Sequence, residues 1–377
     1  MTTPFTFATA GQIRFGRGTA TEAAAAALSR GTAVALVHGA TPDRAGWLID
    51  DLESAGARVR MIACPGEPTL DALEAARATL RADPPDVVVA LGGGAVVDLA
   101  KALAAVLPGT RPALDHLEVV GRGLPLEAAP LPLVVLPTTA GTGAEVTRNA
   151  VIGVPSEAVK VSLRDPRMYP DVAIVDSVLM EGAPKPVVLA AGLDAVTQVI
   201  EPFVCTRANP MTDALARSAV PTGLRALKAV VEGGGPGDWD AMAWTSLAGG
   251  LALANAGLGA VHGLAGVIGG VTGAPHGAIC GALLPPVLAA NRAAVARGCE
   301  TRARLDWVVD EIASVFEDLG GLTAWARAHG LKGLGALGVT PALRLGIAAK
   351  AQGASSMVAN PVKLTDDALV RIMEAAA

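Results

Sequence analysis

Aromatic residues are scarce in this 377-residue chain: Phe, Trp and Tyr make up 3% of it, and Tyr occurs once. That scarcity removes the stacking platforms on which bases are usually held. Lys and Arg number 30 against 35 Asp and Glu and stand singly, for a net charge of −5. A nucleic-acid surface needs clustered basic residues, so none is expected. An anionic ligand must instead be gripped by local backbone amides. The four cysteines, Cys64, Cys205, Cys280 and Cys299, form no CxxC pair and are too few for a disulfide framework, so they read as buried thiols in a reducing cytoplasm. The N-terminal MTTPFTFATAGQIRFGRG has no basic start followed by an apolar run, and no secretory signal is expected. Asp, Glu, Lys and Arg are all missing from Ala241 to Asn291. Composition alone would suggest a membrane span there, but Asn255, His262, Pro275, His276 and many glycines interrupt it. The expectation is the close-packed centre of a helical domain, with no membrane partner.

What the chain has in quantity is small aliphatic residue: 51% is hydrophobic, much of it Ala and Val. At this length one core usually stops growing, so two domains are expected. In the first half, short β-branched runs alternate with helical periodicity. Residues 33–38, 58–63, 86–91, 133–136 and 172–176 read as strands of a largely buried parallel sheet, and 43–55, 70–81 and 96–107 as helices between them. This is the βαβ pattern of a doubly wound α/β fold. Residues 146–165 read as a polar hairpin beside the sheet, and the Pro-rich 107–132 as a surface excursion with an exposed His116. After Asp176 the strand signal ends, and Ala- and Leu-rich segments describe an all-helical second domain. The passage SVLMEGAPKP, residues 177–186, marks the boundary, giving an α/β domain at 1–180 and an all-helical domain at 181–377.

Two loops carry phosphate chemistry. VVVALGGGAVVDLAK runs from a buried strand through Gly92, Gly93 and Gly94 into a helix, allowing close backbone approach, positive φ and convergence of N–H groups on a pyrophosphate. Asp98 and Lys101 follow, placed to fix the loop and offset ligand charge. LPTTAGTGAEVT offers Thr138, Thr139 and Thr142 with exposed amides, suited to phosphate or ribose oxygens. Two such loops at strand ends place a nucleotide across the sheet edge. An acidic residue commonly holds the adenosine ribose near the end of the first strand, but Gly39 stands there, so NADP is favoured over NAD; Arg44 is in reach of a 2′-phosphate.

A third constellation suits a divalent metal. Asp194 and Gln198 lie one helical turn apart on one face. His262 and His276 are fourteen residues apart, about 21 Å along one straight helix, and can meet only if the chain turns. Gly269, Gly270, Gly273 and Pro275 supply the breakers, so that His276 opens a second helix folding back on the first. Burying two imidazoles and a carboxylate without partners is costly, and a metal would satisfy them. His329 reads as a surface residue at a helix C-terminus.

Taken together, GGGAVVDLAK, PTTAGTGAEVT, the Asp194 helix ending in Glu201 and the His262 to His276 segment resemble the iron-containing (group III) alcohol dehydrogenases, from GQIRFGRG to ASSMVANPVKLT. The resemblance implies an N-terminal dinucleotide-binding α/β domain, a C-terminal helical domain and catalysis in the cleft between them. It also implies NAD(P), Fe²⁺ or Zn²⁺, a small alcohol, aldehyde or ketone as substrate, and a cytoplasmic homodimer. Asp194, His262 and His276 fall on ligand positions; Gln198 stands where the family has His, and Gly266 where many members carry a further His that helps move protons. Gln198 remains a possible oxygen ligand, and Lys160 in the hairpin is a candidate catalytic contributor. The departures also resemble the metal-free maleylacetate reductases, although those typically lose the Asp kept here. A nucleotide-binding homologue without redox turnover, or a lyase of the dehydroquinate synthase type, is a further alternative.

Overall fold

The structure is a computed structural model that describes residues 4–157 and 159–377. These form two compact units. One comprises Thr9–Thr139 and Ala144–Glu181; the other comprises Ala140–Gly143 and Gly182–Ala377, together with residues 4–8.

The first unit is built on a six-stranded parallel sheet of β1 (Gln12–Phe15), β2 (Ala33–His38), β3 (Arg58–Ala63), β4 (Val87–Gly92), β5 (Leu133–Pro137) and β8 (Val172–Val175), ordered β1-β8-β5-β4-β2-β3. Period-2 alternation divides its strands between two cores. Val87, Val89 and Leu91 pack with α1 (Ala23–Leu28) and α2 (Gly46–Ser54), while Val88 and Ala90 pack with α3 (Leu70–Arg81) and α4 (Gly94–Val106). Burial on both faces explains the unbroken apolar runs in the sequence. The short edge strand β1 is not among the expected strands, because Arg14 and the flanking glycines hide its pattern. Asp43–Ala55 is not one helix either: a 3₁₀ turn at Pro42–Ala45 precedes α2.

The antiparallel pair β6 (Asn149–Val154) and β7 (Val159–Arg164) forms the expected hairpin, but only one face is polar. Ala150, Ile152, Val154, Val161 and Leu163 are buried against α3 and α4. The 107–132 excursion is pinned at Ala113, Leu117 and Leu126. His116, expected to be exposed, is buried, with Nδ1 2.9 Å from the Leu124 carbonyl. It holds this Pro-rich segment together from inside.

Beneath the hairpin lie two buried titratable side chains, Lys101 and Glu145. Lys101 Nζ donates to Thr147 Oγ1 (2.7 Å) and to the Asn149 carbonyl (2.8 Å), so it fastens the hairpin rather than facing a ligand. Burial pushes Lys101 down to about 8, against the opposing charges of Asp98 and Glu145. Burial likewise pushes Glu145 up to about 7, against its own backbone amide and the Lys101 charge, and Glu145 Oε1 has no hydrogen-bond partner. Native Glu145 therefore keeps a proton that the unfolded chain releases near the ordinary carboxylate value. Its contribution is full at low pH and is lost as pH rises through about 7. Urea unfolding of Glu145→Gln should show a flatter fall in stability between roughly pH 4.5 and 7 than the parent, the difference reaching about 3 kcal/mol. Parallel profiles for the two proteins would contradict the assignment.

The second unit is helical: α5 (Lys185–Val204), α6 (Pro210–Glu232), α7 (Pro236–Asn255), α8 (Ala260–Thr272), α9 (His276–Ala294), α10 (Glu300–Phe316), α11 (Leu319–Ala328), α12 (Pro341–Ala351) and α13 (Asp366–Ala375). Helix α5 is central and long and apolar enough to cross a membrane, with 78% of its apolar window buried in the structure. The chargeless stretch maps onto α7, α8 and α9, with α7 and α8 bent by 97° at their junction. Small residues let these helices touch. A Cβ at Gly277 would lie 2.2 Å from the Ala190 carbonyl oxygen, and one at Gly281 would lie 2.5 Å from Leu193 Cδ1. Those two glycines, four apart, bring α9 onto the backbone of α5.

Candidate functional site

In the α/β unit the glycine loop lies at the C-terminal end of β4, flanked by the ends of β2 and β5. Strand order reverses between β2 and β4, the switch point at which such sheets bind ligands. Gly39 follows β2 and is only half-buried, with open space where a Cβ would stand. At Gly92 a Cβ would meet Val96 at 2.5 Å, and at Gly93 it would approach Thr139 Oγ1 to 3.2 Å. None of Gly92, Gly93 and Gly94 has positive φ, contrary to expectation; Gly93 is extended at φ −74°, ψ −176°. Close approach, not left-handed backbone, is what excludes side chains here. The Thr138 N–H donates to the Gly92 carbonyl at 3.0 Å, tying the second loop to the first. Asp98 Oδ2 accepts from the Val151 N–H at 3.1 Å, anchoring the hairpin. Thr142 belongs to the helical unit, where Gly143 (φ +58°) packs 2.4 Å, counted from a built Cβ, from Gly250 Cα. Lys160 lies on β7 with Nζ 3.3 Å from Glu67 Oε1. Arg44 is exposed in the 3₁₀ turn after β2. A cavity of ≈ 340 Å³ lined by Lys101, Arg167 and Tyr169 opens at the opposite, N-terminal edge of the sheet and has no part in this loop geometry.

In the helical unit the expected chain reversal is present. Helix α8 is capped by Gly273, φ +68°, and His276 opens α9 after Pro275, so the His262 and His276 rings lie 5.4 Å apart. Asp194, Gln198 and Glu201 lie at i, i+4 and i+7 on α5, all buried. Asp194 Oδ1 lies 3.3 Å from His262 Nε2 and 3.9 Å from His276 Nε2. Neither contact is a well-formed hydrogen bond, and both Asp194 Oδ1 and Gln198 Oε1 are buried without a hydrogen-bond partner. His276 keeps a partly open side chain, at 37% exposure. Gly266, one turn after His262, is exposed with nothing within 4 Å of a built Cβ.

Electrostatics follows from this packing. Burial works against ionising Asp194, yet His262, His276 and the Gln198 amide hold its carboxyl below the usual value. Burial also opposes a charge on His262, but Cys280, Asp194 and Glu201 raise it well above the ordinary imidazole value. His276 is pushed up to about 9, chiefly by Cys280, with Asp194 adding to it against burial. The cluster thus gathers a carboxylate and a thiol around two basic nitrogens.

Two participants escaped the sequence reading. Cys280 is not merely a buried thiol: its Sγ lies 3.6 Å from His276 Nε2 and 3.9 Å from His262 Nε2, and one donor atom from each of Asp194, His262, His276 and Cys280 falls within 4.8 Å of the others. Its i+4 spacing from His276 was the available signal. Glu201 was seen only as the end of a motif, but its Oε2 lies 2.6 Å from His262 Nδ1 and its Oε1 accepts from the Val261 N–H at 2.7 Å. Cys299, expected to be buried, is exposed; Cys64 and Cys205 are buried as expected. His329 caps α11, with Nδ1 2.9 Å from the Trp325 carbonyl.

Sequence models of the iron-containing alcohol dehydrogenase family and of its C-terminal region match residues 10–177 and 188–377 respectively. The chain is 37% identical over 247 residues to the probable alcohol dehydrogenase EutG of Escherichia coli (strain K12), covering 65% of this chain and 62% of that protein. It is 38% identical over 209 residues to the 1,3-propanediol dehydrogenase of Citrobacter freundii, covering 55% and 52%. The alignments therefore span 62% or less of these relatives' own lengths. Among solved structures, a 1,3-propanediol oxidoreductase superposes over 100% of both chains with TM-score 0.87 at 25% identity. An iron-containing alcohol dehydrogenase from Thermococcus thioreducens does so over 98% of this chain and 99% of that one, with TM-score 0.85 at 26% identity. With both family regions matched in order across nearly the whole sequence, the chain belongs to the iron-containing alcohol dehydrogenase family.

Proposed function

We propose that this protein is an NAD(P)-dependent oxidoreductase that interconverts a small alcohol and its aldehyde or ketone with the help of a divalent metal. The observation that carries the reading is the pair of orphaned buried oxygens, Asp194 Oδ1 and Gln198 Oε1, beside two imidazoles. Buried polar atoms are rarely left without partners, and this donor set fits a divalent ion. Asp194, His262 and His276 would hold it, with the Gln198 carboxamide oxygen as a neutral donor. When bound, such an ion polarises an alcohol or carbonyl oxygen and lowers an alcohol's pKa.

The chain's own residues supply the rest. Gly92 to Gly94 and the N-terminus of α4 present amides and a positive dipole end to the coenzyme phosphates, while Thr138 and Thr139 border the cradle. Gly39 leaves no carboxylate to repel a 2′-phosphate, and Arg44 is available to pair with one, which favours NADP. Glu201 Oε2 accepts the hydrogen bond of His262 Nδ1–H and leaves Nε2 facing Asp194. With glycine at 266, the hydroxyl proton has no imidazole one turn beyond His262 to receive it and must leave through water, a ribose hydroxyl or a nearby side chain.

Absorbance of NADPH and NADH is to be followed across a panel of small aldehydes, ketones and keto acids, with bound metal measured after dialysis. Coenzyme oxidation that is lost with the metal and restored by Fe²⁺ or Zn²⁺ supports the reading. Full turnover on a keto acid without any bound ion would replace it with the metal-free reductase suggested by Gln198 and Gly266. Coenzyme binding without oxidation of either coenzyme would replace it with a non-redox homologue. Gly93→Val should weaken coenzyme binding by at least about tenfold in a fluorescence titration, because its methyls would occupy the cradle beside Thr139. An unchanged Kd would remove the loop from the coenzyme site.

A further inference from the structure

We propose that the Cys280 sulfur is a direct ligand of the metal, giving this chain an Asp-His-His-Cys set in which sulfur takes over from the imidazole that position 198 lacks. The inference rests on the metal reading above. Four facts carry it.

First, four of the six donor separations come close to those expected around a single ion. Bonds of about 2.0–2.3 Å imply edges of roughly 3.3 Å between nitrogen or oxygen donors and roughly 3.6 Å to sulfur. The structure has 3.3 and 3.9 Å for Asp194 Oδ1 to the two Nε2 atoms, and 3.6 and 3.9 Å for Cys280 Sγ to the same atoms. Second, Cys280 is 0% exposed, and its sulfur contacts both of these imidazoles. Third, α9 presents His276 and Cys280 as an i, i+4 pair. The neighbouring pair Gly277 and Gly281 seats the same helix against Ala190 and Leu193, so one close helix contact positions both donors. Fourth, Asp194 Oδ1 is buried without a hydrogen-bond partner beside the two imidazoles, which points to a cation shared by these groups. A soft sulfur donor shifts preference towards Zn²⁺ relative to an all-oxygen and imidazole set.

The test is cobalt reconstitution of the full-length, metal-free protein under anaerobic conditions, followed by absorption spectroscopy, with Cys299→Ser as background to remove the exposed thiol. A sulfur-to-cobalt charge-transfer band in the near ultraviolet should accompany the visible d–d bands. In Cys280→Ser the d–d bands should remain, the charge-transfer band should vanish, and Zn²⁺ affinity in a chelator competition should fall at least about tenfold. Stoichiometric cobalt with d–d bands but no charge-transfer band in the parent would overturn the ligand assignment while leaving the metal reading intact. No cobalt uptake by the parent would overturn both. Because the parent's spectrum decides the first point, the proposal stays testable even if Cys280→Ser folds poorly.

Discussion

Asp194→Asn should purify with less than about a tenth of the parent's tightly held divalent metal, and its NAD(P)-coupled turnover should fall by at least about 10³-fold. Asparagine keeps the shape of the side chain while removing the charge and turning one acceptor oxygen into an NH₂ donor, so lost packing on α5 does not confuse the result. The size follows from the chemistry: polarising a substrate oxygen is worth several kcal/mol, and each 1.36 kcal/mol is tenfold in rate. Asp194 is also the one carboxylate among the clustered donors, with two imidazoles within 3.9 Å of its Oδ1. Gln198→His supplies the opposite arm, since an imidazole is a stronger donor than a carboxamide, and that variant should retain metal through longer dialysis. Metal analysis of the three proteins after equal dialysis reads both arms. Equal metal in all of them would rule out α5 as the source of ligands.

Where the sequence was legible, a physical reason lay close to the surface. Strands β2 and β3 are found at the expected residues because both run as apolar, β-branched stretches between turns, and the β4 strand shifts by one residue because Gly92 still pairs with Pro137. The reversal between His262 and His276 could be read because glycine and proline must break so long an apolar helix. Cys280 could not be read in the same way. A thiol on a buried helix face looks like any small hydrophobe until the partner helix is known, and that partnership depends on Gly277 and Gly281 facing α5. His116 was misplaced for a related reason: its carbonyl partner, Leu124, lies in a segment without periodicity. Lys101 reads as a ligand-facing cation from its place after the glycine loop, yet the hairpin that covers it comes from residues almost fifty positions later. Local pattern gave the elements, while the identity of the groups in a dry cluster was set by contacts between elements distant in the chain.

Glu201 offers the other large effect, and two substitutions there separate support from structure. Its carboxylate is 4% exposed and closes three contacts at the start of α8: the Val261 N–H at 2.7 Å, the His262 N–H at 3.4 Å and His262 Nδ1 at 2.6 Å. Gly259 admits it, since a built Cβ there would stand 2.8 Å from Glu201 Oε1. Glu201→Ala leaves a buried imidazole and helix amides without their acceptor, and urea unfolding should register a loss of about 3 kcal/mol or more. Glu201→Gln keeps the volume and one acceptor oxygen, so its stability should fall by only about 1 kcal/mol. Its effect on the site is larger. An amide NH₂ facing Nδ1 favours the tautomer with the proton on Nε2, the nitrogen that faces Asp194 and that a metal would need. Metal affinity in a chelator competition should therefore drop about 10–100-fold in a protein that is still folded. If Glu201→Gln holds metal as tightly as the parent, Glu201 serves only to cap α8, and the orientation of His262 must come from Asp194 and Cys280 alone.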